Sequence, residues 1–221
     1  MIPVSVLSKM CMYEIEIQGV DVKASVVDRG VLVDAHIAEL RSALEKPFVN
    51  PLVTFDIKCI PNYNGAALLI LCVGTRCLIV QLHCIDSFPE SIKKFLSDEN
   101  VCFVGMGVKN KVKKILLWPQ MENCKTGVEL GHLAARVLKK PKIDGCSTGL
   151  VELASEVGLH IHEEPKSASF SDWSARVFSH EQVKYAIHDA CTCYMIADYL
   201  LNLLSVFISI IVLVEIFKAA Y

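Results

Sequence analysis

The residues from Pro51 to His83 limit the fold more than any other stretch. PLVTFDIKCI (51–60), AALLILCV (66–73) and RCLIVQLH (76–83) are apolar and β-branched almost throughout, and such residues favour strands. Gly74-Thr75 separates the second run from the third, and a two-residue connection with glycine first fits a tight hairpin turn. PNYNG at 61–65 is turn chemistry between the first and second runs. The spacing therefore predicts a three-stranded antiparallel meander over 51–83. Two charges interrupt the first strand, Asp56 and Lys58. Positions two apart on a strand share a face, so a carboxylate and an ammonium are expected side by side on an otherwise buried segment. An acid at the end of a central strand is a common place for a metal or a reacting phosphate. A lysine beside it is an unusual companion.

Around the meander the period changes repeatedly. Met12 to Asp28 alternates apolar and polar residues about Gly19 and reads as a β-hairpin. Gly30 to Leu44 has helical spacing with one apolar face. Pro89–Leu96 reads as a short helix, Val101–Met106 as a strand covered on both sides, and Val108–Leu117 as a helix. Val128–Leu138 holds a strand-to-helix passage, and Thr148–Val157 a helix stopped by Gly158. Lys166–Phe178 is irregular, and a long helix runs from His180 to about Asn202. The order implies an α/β domain with a mixed sheet and helices on both faces.

The length of 221 residues suits one domain with appendages. Mean hydropathy is +0.43, and much of it comes from YLLNLLSVFISIIVLVEIF at 199–217. Residues 200–217 approach the about 20 apolar residues that cross a bilayer, although Glu215 lies among them. Three readings stand for this tail: a C-terminal membrane anchor, a helix for a partner, or a non-native extension. The net charge of −2 does not suggest broad coating of nucleic acid, and a total hides any local basic groove. Ten cysteines without a CxxC pair, and an opening MIPVSVLSKM that lacks the charged and apolar parts of a secretory leader, point to reduced thiols in cytoplasm or nucleus. Cys72, Cys77 and Cys102 then serve as small hydrophobes within strands.

Four other features have bland readings that outweigh the chemical ones. His160 and His162, followed by Glu163 and Glu164, have metal-ligand spacing but no further ligand cluster. Cys191 and Cys193 point to different faces of one helix, as core residues do. Lys139, Lys140 and Lys142 form a KKPK run that suits a solvated loop. Trp173 is expected to anchor the irregular segment by burying its ring.

Three segments carry a family resemblance: TFDIKCI, VCFVGMGVKNKVKKI, and QVKYAIHDA with its Tyr185 and Asp189. RCLIVQLH, PESIKKFLSDENVCFVG, STGLVELASEVGL and SDWSARVFSHEQVKYAIHDA follow in the same order and spacing. Over residues 12–202 the chain resembles the DEDD family of 3′→5′ exonucleases, in the RNase D and Werner-syndrome-type branch and its plant-like form. The resemblance implies an RNase H-like fold: a mixed five-stranded sheet with helices on both faces, plus an N-terminal β-hairpin. Residues 1–11 then form a lead, and 203–221 an apolar tail. It also implies nucleic acid as partner and Mg²⁺ or Mn²⁺ as cofactor. In that family four acidic side chains hold two such ions, which activate a water and stabilise the leaving oxygen. A tyrosine of the third motif positions the water.

Carried over, Asp56 is the first carboxylate and Asp189 the last, both candidate metal ligands, and Tyr185 is the tyrosine. Lys58 takes the place of the family's glutamate, and Lys111, after Asn110, that of an aspartate. Two carboxylates then face two ammoniums, so the charge is 2 − 2 = 0. A Mg²⁺ about 4 Å from an ammonium is disfavoured by several kcal/mol. Lysine is, however, a good point-charge partner for phosphate. The expectation is a catalytically impaired member, with Lys58, Asn110 and Lys111 as candidate nucleic-acid contacts and Lys109, Lys113 and Lys114 adding charge nearby. The alternatives are an active exonuclease with substituted ligands, and a non-catalytic interaction module that pairs with a homologous exonuclease subunit.

Overall fold

Where the apolar runs fall decides the layers. In the computed structural model, the chain forms β1 (Met12–Ile17), β2 (Val20–Val27), α1 (Gly30–Leu44), β3 (Leu52–Cys59), β4 (Ala66–Val73), β5 (Arg76–Gln81) and α2 (Glu90–Leu96). It continues with β6 (Cys102–Gly105), α3 (Val108–Ile115), β7 (Val128–Glu129), α4 (Leu130–Val137), α5 (Leu150–Glu156) and α6 (His180–Ala219). The structure describes residues 10–47, 50–60, 65–115, 127–143, 148–161 and 172–219, with the side chains of α6 described through residue 206. The expected turn at 61–64, residues 116–117, and His162, Glu163 and Glu164 lie outside them.

Among the described residues the strands make one sheet in the order β1-β2-β5-β4-β3-β6-β7. The meander β3-β4-β5 is antiparallel, and β6 pairs parallel with β3. Gly74, at φ +56°, supplies the backbone conformation of the two-residue turn between β4 and β5. The N-terminal hairpin is not a separate appendage. Its strand β2 pairs parallel with β5, extending the five strands to seven. Every residue of β4 is buried, as its unbroken apolar run demands.

Two layers of helix cover this sheet. On one face Val53, Phe55 and Ile57 of β3 meet Leu32, Val33, Ile37 and Leu40 of α1 and Ile92, Phe95 and Leu96 of α2. Phe95 and Phe103 meet edge-on there, with ring centroids 5.6 Å apart. On the other face α6 lies across the sheet, burying Val183, Ala186, Ile187 and Ala190 against β2, β4 and β5. Further along, Ile196, Ala197 and Leu200 of α6 join α4 and α5 over Leu52 and Val104. Trp173 is buried at 3% exposure and anchors its irregular segment, its ring edge-on to Phe178.

Two expectations need correction. The last helix does not stop near Asn202 but runs to Ala219. No proline or glycine occurs between 203 and 219 to stop it. Among the described residues no helix is long and apolar enough to cross a membrane. Most of the anchor expectation rests on 207–217, whose side chains lie outside the described residues. Second, the cysteines are not all free thiols, because Cys72 and Cys77 form a disulfide. They stand directly opposite in the β4–β5 register with Cα atoms 4.3 Å apart. That is the close, non-hydrogen-bonded type of cross-strand pair, which brings side chains together.

Candidate functional site

The site grows from the polar face of β3. Thr54 is fully buried, and its Oγ1 donates to the carbonyl of Ala190 at 2.7 Å. This bond fixes β3 against α6 one residue beyond Asp189. Two positions along, Asp56 is 3% exposed. Its Oδ1 accepts the Ile57 N–H at 2.8 Å and lies 2.5 Å from Lys111 Nζ. Its Oδ2 lies 2.9 Å from Lys58 Nζ, an ion pair that leaves this buried oxygen without an aligned hydrogen-bond donor among the described residues. Lys58 Nζ also donates to Asp189 Oδ2 at 3.3 Å. The alternation of β3 thus does put Asp56 and Lys58 side by side.

Tyr185 and Asp189 sit one turn apart on α6, and both turn toward Lys58. The ammonium lies 5.2 Å from the centroid of the Tyr185 ring, a cation–π distance. Tyr185 in turn stacks on Trp173, with centroids 6.2 Å apart and planes 15° from parallel. Lys58 is therefore enclosed by two carboxylates and an aromatic face. Burial opposes its charge, but Asp56 and Asp189 more than offset this and hold the ammonium well above the ordinary lysine range. Burial likewise works against the Asp189 carboxylate. The His188 hydrogen bond and the Lys58 charge overcome it and hold Asp189 well below the ordinary range.

Lys111 arrives from α3, and the start of that helix is set by a residue the sequence reading passed over. Glu129, at the end of β7, accepts the N–H groups of Gly107 and Val108 at 2.9 Å each. A carboxylate on the free N–H groups of a helix start satisfies them and complements the helix dipole. Gly107, at φ +63°, makes the turn from β6 into the helix. One turn further, Lys111 reaches Asp56.

A second support comes from the tip of the N-terminal hairpin. Gln18 occupies the left-handed region at φ +51°, which costs a side-chain-bearing residue about 1–2 kcal/mol. Its Nε2 lies 3.1 Å from Nε2 of the buried His188, whose Nδ1 is 3.3 Å from Asp189 Oδ1. A proton on Nδ1 donates to the carboxylate and leaves Nε2 to accept from the Gln18 amide. The hairpin tip thus reaches Asp189 through one imidazole.

The structure does not bring every candidate together. Asn110 is exposed on α3 and is not a partner of Asp56 or Asp189. Lys109 and Lys113 are exposed one turn apart on the same helix, while Lys114 Nζ lies 3.2 Å from Cys59 Sγ. Lys140 pairs with Glu156, and Lys139 and Lys142 are exposed, as a solvated loop requires. Cys191 and Cys193 lie in separate apolar clusters on opposite sides of α6. Residues missed in sequence are Thr54, Gln18, Glu129 and His188. Only Glu129 had a local signal, an acid at a strand end.

A pair of divalent cations does not fit this donor set. Asp56 is one of the two carboxylates that the resemblance offers to such ions, and both of its oxygens face ammoniums. A cation there would have to displace Lys58 and Lys111 or sit within a few Å of both, with two carboxylates fewer than a four-acid site would offer.

The comparisons with known proteins agree with this architecture. Residues 35–205 match the 3′-5′ exonuclease family. The Acanthamoeba polyphaga mimivirus protein R431, whose name describes a 3′-5′ exonuclease, is 28% identical over 130 residues, covering 56% of this chain and 32% of that protein. The chain thus spans about a third of that relative's length. Two solved structures share the fold. Escherichia coli RNase D superposes with a TM-score of 0.64 at 17% identity, over 81% of this chain and 44% of that one. The EXO domain of Aedes aegypti Nibbler superposes with 0.66 at 16% identity, over 83% and 89%. The chain belongs to the 3′-5′ exonuclease family, as a DEDD-type domain with an RNase H-like fold.

Proposed function

We propose that this exonuclease domain contacts the backbone of nucleic acid through lysine and does not cleave it by the family's two-cation route. The observation that carries the reading is the pairing of both Asp56 oxygens with ammoniums, Lys58 and Lys111. These side chains take the role of internal cations at the carboxylate that would otherwise recruit metal. A phosphate then meets a neutral cluster with Lys111 at its open side, its side chain 23% exposed against 13% for Lys58. Lys114, one turn from Lys111 on the same side of α3, supplies further positive charge beside it, whereas Lys109 and Lys113 share another face of the helix. Each lysine is a point contact to phosphate, so recognition is of backbone and carries no base sequence.

Such binding is weak and falls steeply with salt. With two or three phosphate contacts on a single strand, log K against log salt has a slope of about −1.5 to −2. Fluorescence anisotropy with single-stranded DNA and RNA oligonucleotides, in chelator, tests this. Binding with that slope, and intact oligonucleotide after incubation with Mn²⁺, supports the reading. Stepwise shortening from the 3′ end that disappears in Asp56→Ala overturns it.

A further inference from the structure

Three sulfurs meet on the sheet face covered by α6. Cys191 Sγ lies 3.8 Å from Cys72 Sγ and 3.6 Å from Cys77 Sγ, and all three lie within 4.8 Å of one another. All three residues are buried, Cys72 at 0% exposure and the others at 3%. Two unrelated elements build the group: opposed positions of the β4–β5 hairpin, and α6. A cation with metal–sulfur bonds of about 2.3 Å holds three coplanar sulfurs about 4 Å apart. The distances from Cys191 already approach that triangle. Among the described residues no histidine or carboxylate joins the three. Their neighbours in the same cluster are apolar, Ile70, Ile79, Val183 and Ile187 among them. Structural zinc takes four ligands, whereas soft thiolates in a small set select Cu(I).

We propose that Cys72, Cys77 and Cys191 form a buried site for one Cu(I) ion once the Cys72–Cys77 bond is reduced. Disulfide and metal are then exclusive states of the same three sulfurs. In the reduction, two small thiols of the glutathione class become one disulfide, and Cys72 and Cys77 each gain a hydrogen. When Cu(I) binds, every sulfur that ligates it releases its proton to solvent. The ion ties α6 to the β4–β5 hairpin two residues beyond Asp189, so the loaded chain should also melt higher than the reduced, metal-free chain.

The test uses the full chain, reduced with a phosphine and mixed anaerobically with the coloured Cu(I)–bicinchoninate complex. The reduced chain should withdraw one copper per molecule, and the oxidised chain none. Cys191→Ser and Cys77→Ser should weaken the withdrawal by more than the about tenfold that loss of an outer-shell partner costs. Cys102→Ser, outside the trio, should leave it unchanged. Alkylation of the unmodified chain needs no variant: copper should slow the reaction of Cys72, Cys77 and Cys191 with iodoacetamide relative to the same reduced chain without copper. Copper that stays with the chelator, withdrawal that persists without Cys191, or a trio that alkylates as fast with copper as without it would overturn the proposal.

Discussion

The two faces of β3 are built from alternate residues of one strand and are held by different physics. Val53, Phe55 and Ile57 enter the apolar layer under α1 and α2. Thr54, Asp56 and Lys58 face α6 and are held by hydrogen bonds and a chain of ion pairs. Stability on the first face comes from area removed from water, and each side chain contributes largely by itself. On the second face no group is stable alone. Asp56 needs two ammoniums, and Lys58 needs two carboxylates and the Tyr185 ring. On the function proposed above, the chain's own ammoniums stand on this face where cations would otherwise bind.

Single substitutions on the two faces should therefore cost similar amounts for different reasons. Phe55→Ala is expected to lose about 3–5 kcal/mol through its cavity. Asp56→Ala is expected to lose about 3–5 kcal/mol because two part-buried ammoniums lose their shared partner. The distinction appears in the rescue. Adding Lys58→Met and Lys111→Met should restore much of the Asp56→Ala loss, since apolar groups replace a buried ion cluster with little penalty. No such change on the polar face should rescue Phe55→Ala. Urea denaturation of the four variants measures both, and equal rescue of the two faces would erase the contrast.

Protons should also separate the faces. Asp189 is held below the ordinary carboxylate range, by causes of which burial is the opposing one and His188 and Lys58 the prevailing ones. Its contribution is present above the unfolded value of about 3.9 and is lost as pH falls through the lower folded value. Lys58 is raised, so its contribution is present below about 10.4 and is lost as pH rises toward its folded value. The polar face should thus hold a stability plateau between about pH 4 and pH 10. Asp189→Asn should flatten the acid limb of stability against pH, whereas Phe55→Ala should lower the whole curve without changing its shape.

Smaller effects sharpen how α6 and the hairpin position the polar face. Thr54→Val removes the bond to Ala190 and should cost about 1 kcal/mol. At the hairpin tip, Gln18→Gly should be less destabilising than Gln18→Ala, by up to about 1 kcal/mol, because both lose the His188 contact but only glycine relieves the left-handed backbone. The ¹⁵N shifts of the His188 ring should move in both variants. An unmoved imidazole would show that Gln18 does not set its tautomer.

What was legible in the sequence follows the same division. Period and turn chemistry located the meander and the hairpin, because alternation and the Gly74-Thr75 turn are local. The spacing of two placed Asp56 beside Lys58, and the spacing of four placed Tyr185 with Asp189. Three other features depend on contacts between distant parts of the chain. The link from Gln18 to His188 joins residues 170 apart. Glu129 shows its purpose only when β7 lies beside the start of α3. The Cys72–Cys77 bond is a matter of hairpin register and not of a CxxC motif. The end of α6 is set differently: residues 203–219 hold no helix breaker, so the helix continues past the boundary that the resemblance implies.

If Lys58 and Lys111 stand in for cations at Asp56, as we propose, Mn²⁺ binding followed by electron paramagnetic resonance should reveal it. The unmodified chain should leave the free Mn²⁺ signal undiminished, while the chain carrying Lys58→Glu and Lys111→Asp should bind the ion and lose that binding when Asp56→Ala is added. Mn²⁺ bound by the unmodified chain and released by Asp56→Ala alone would contradict the account.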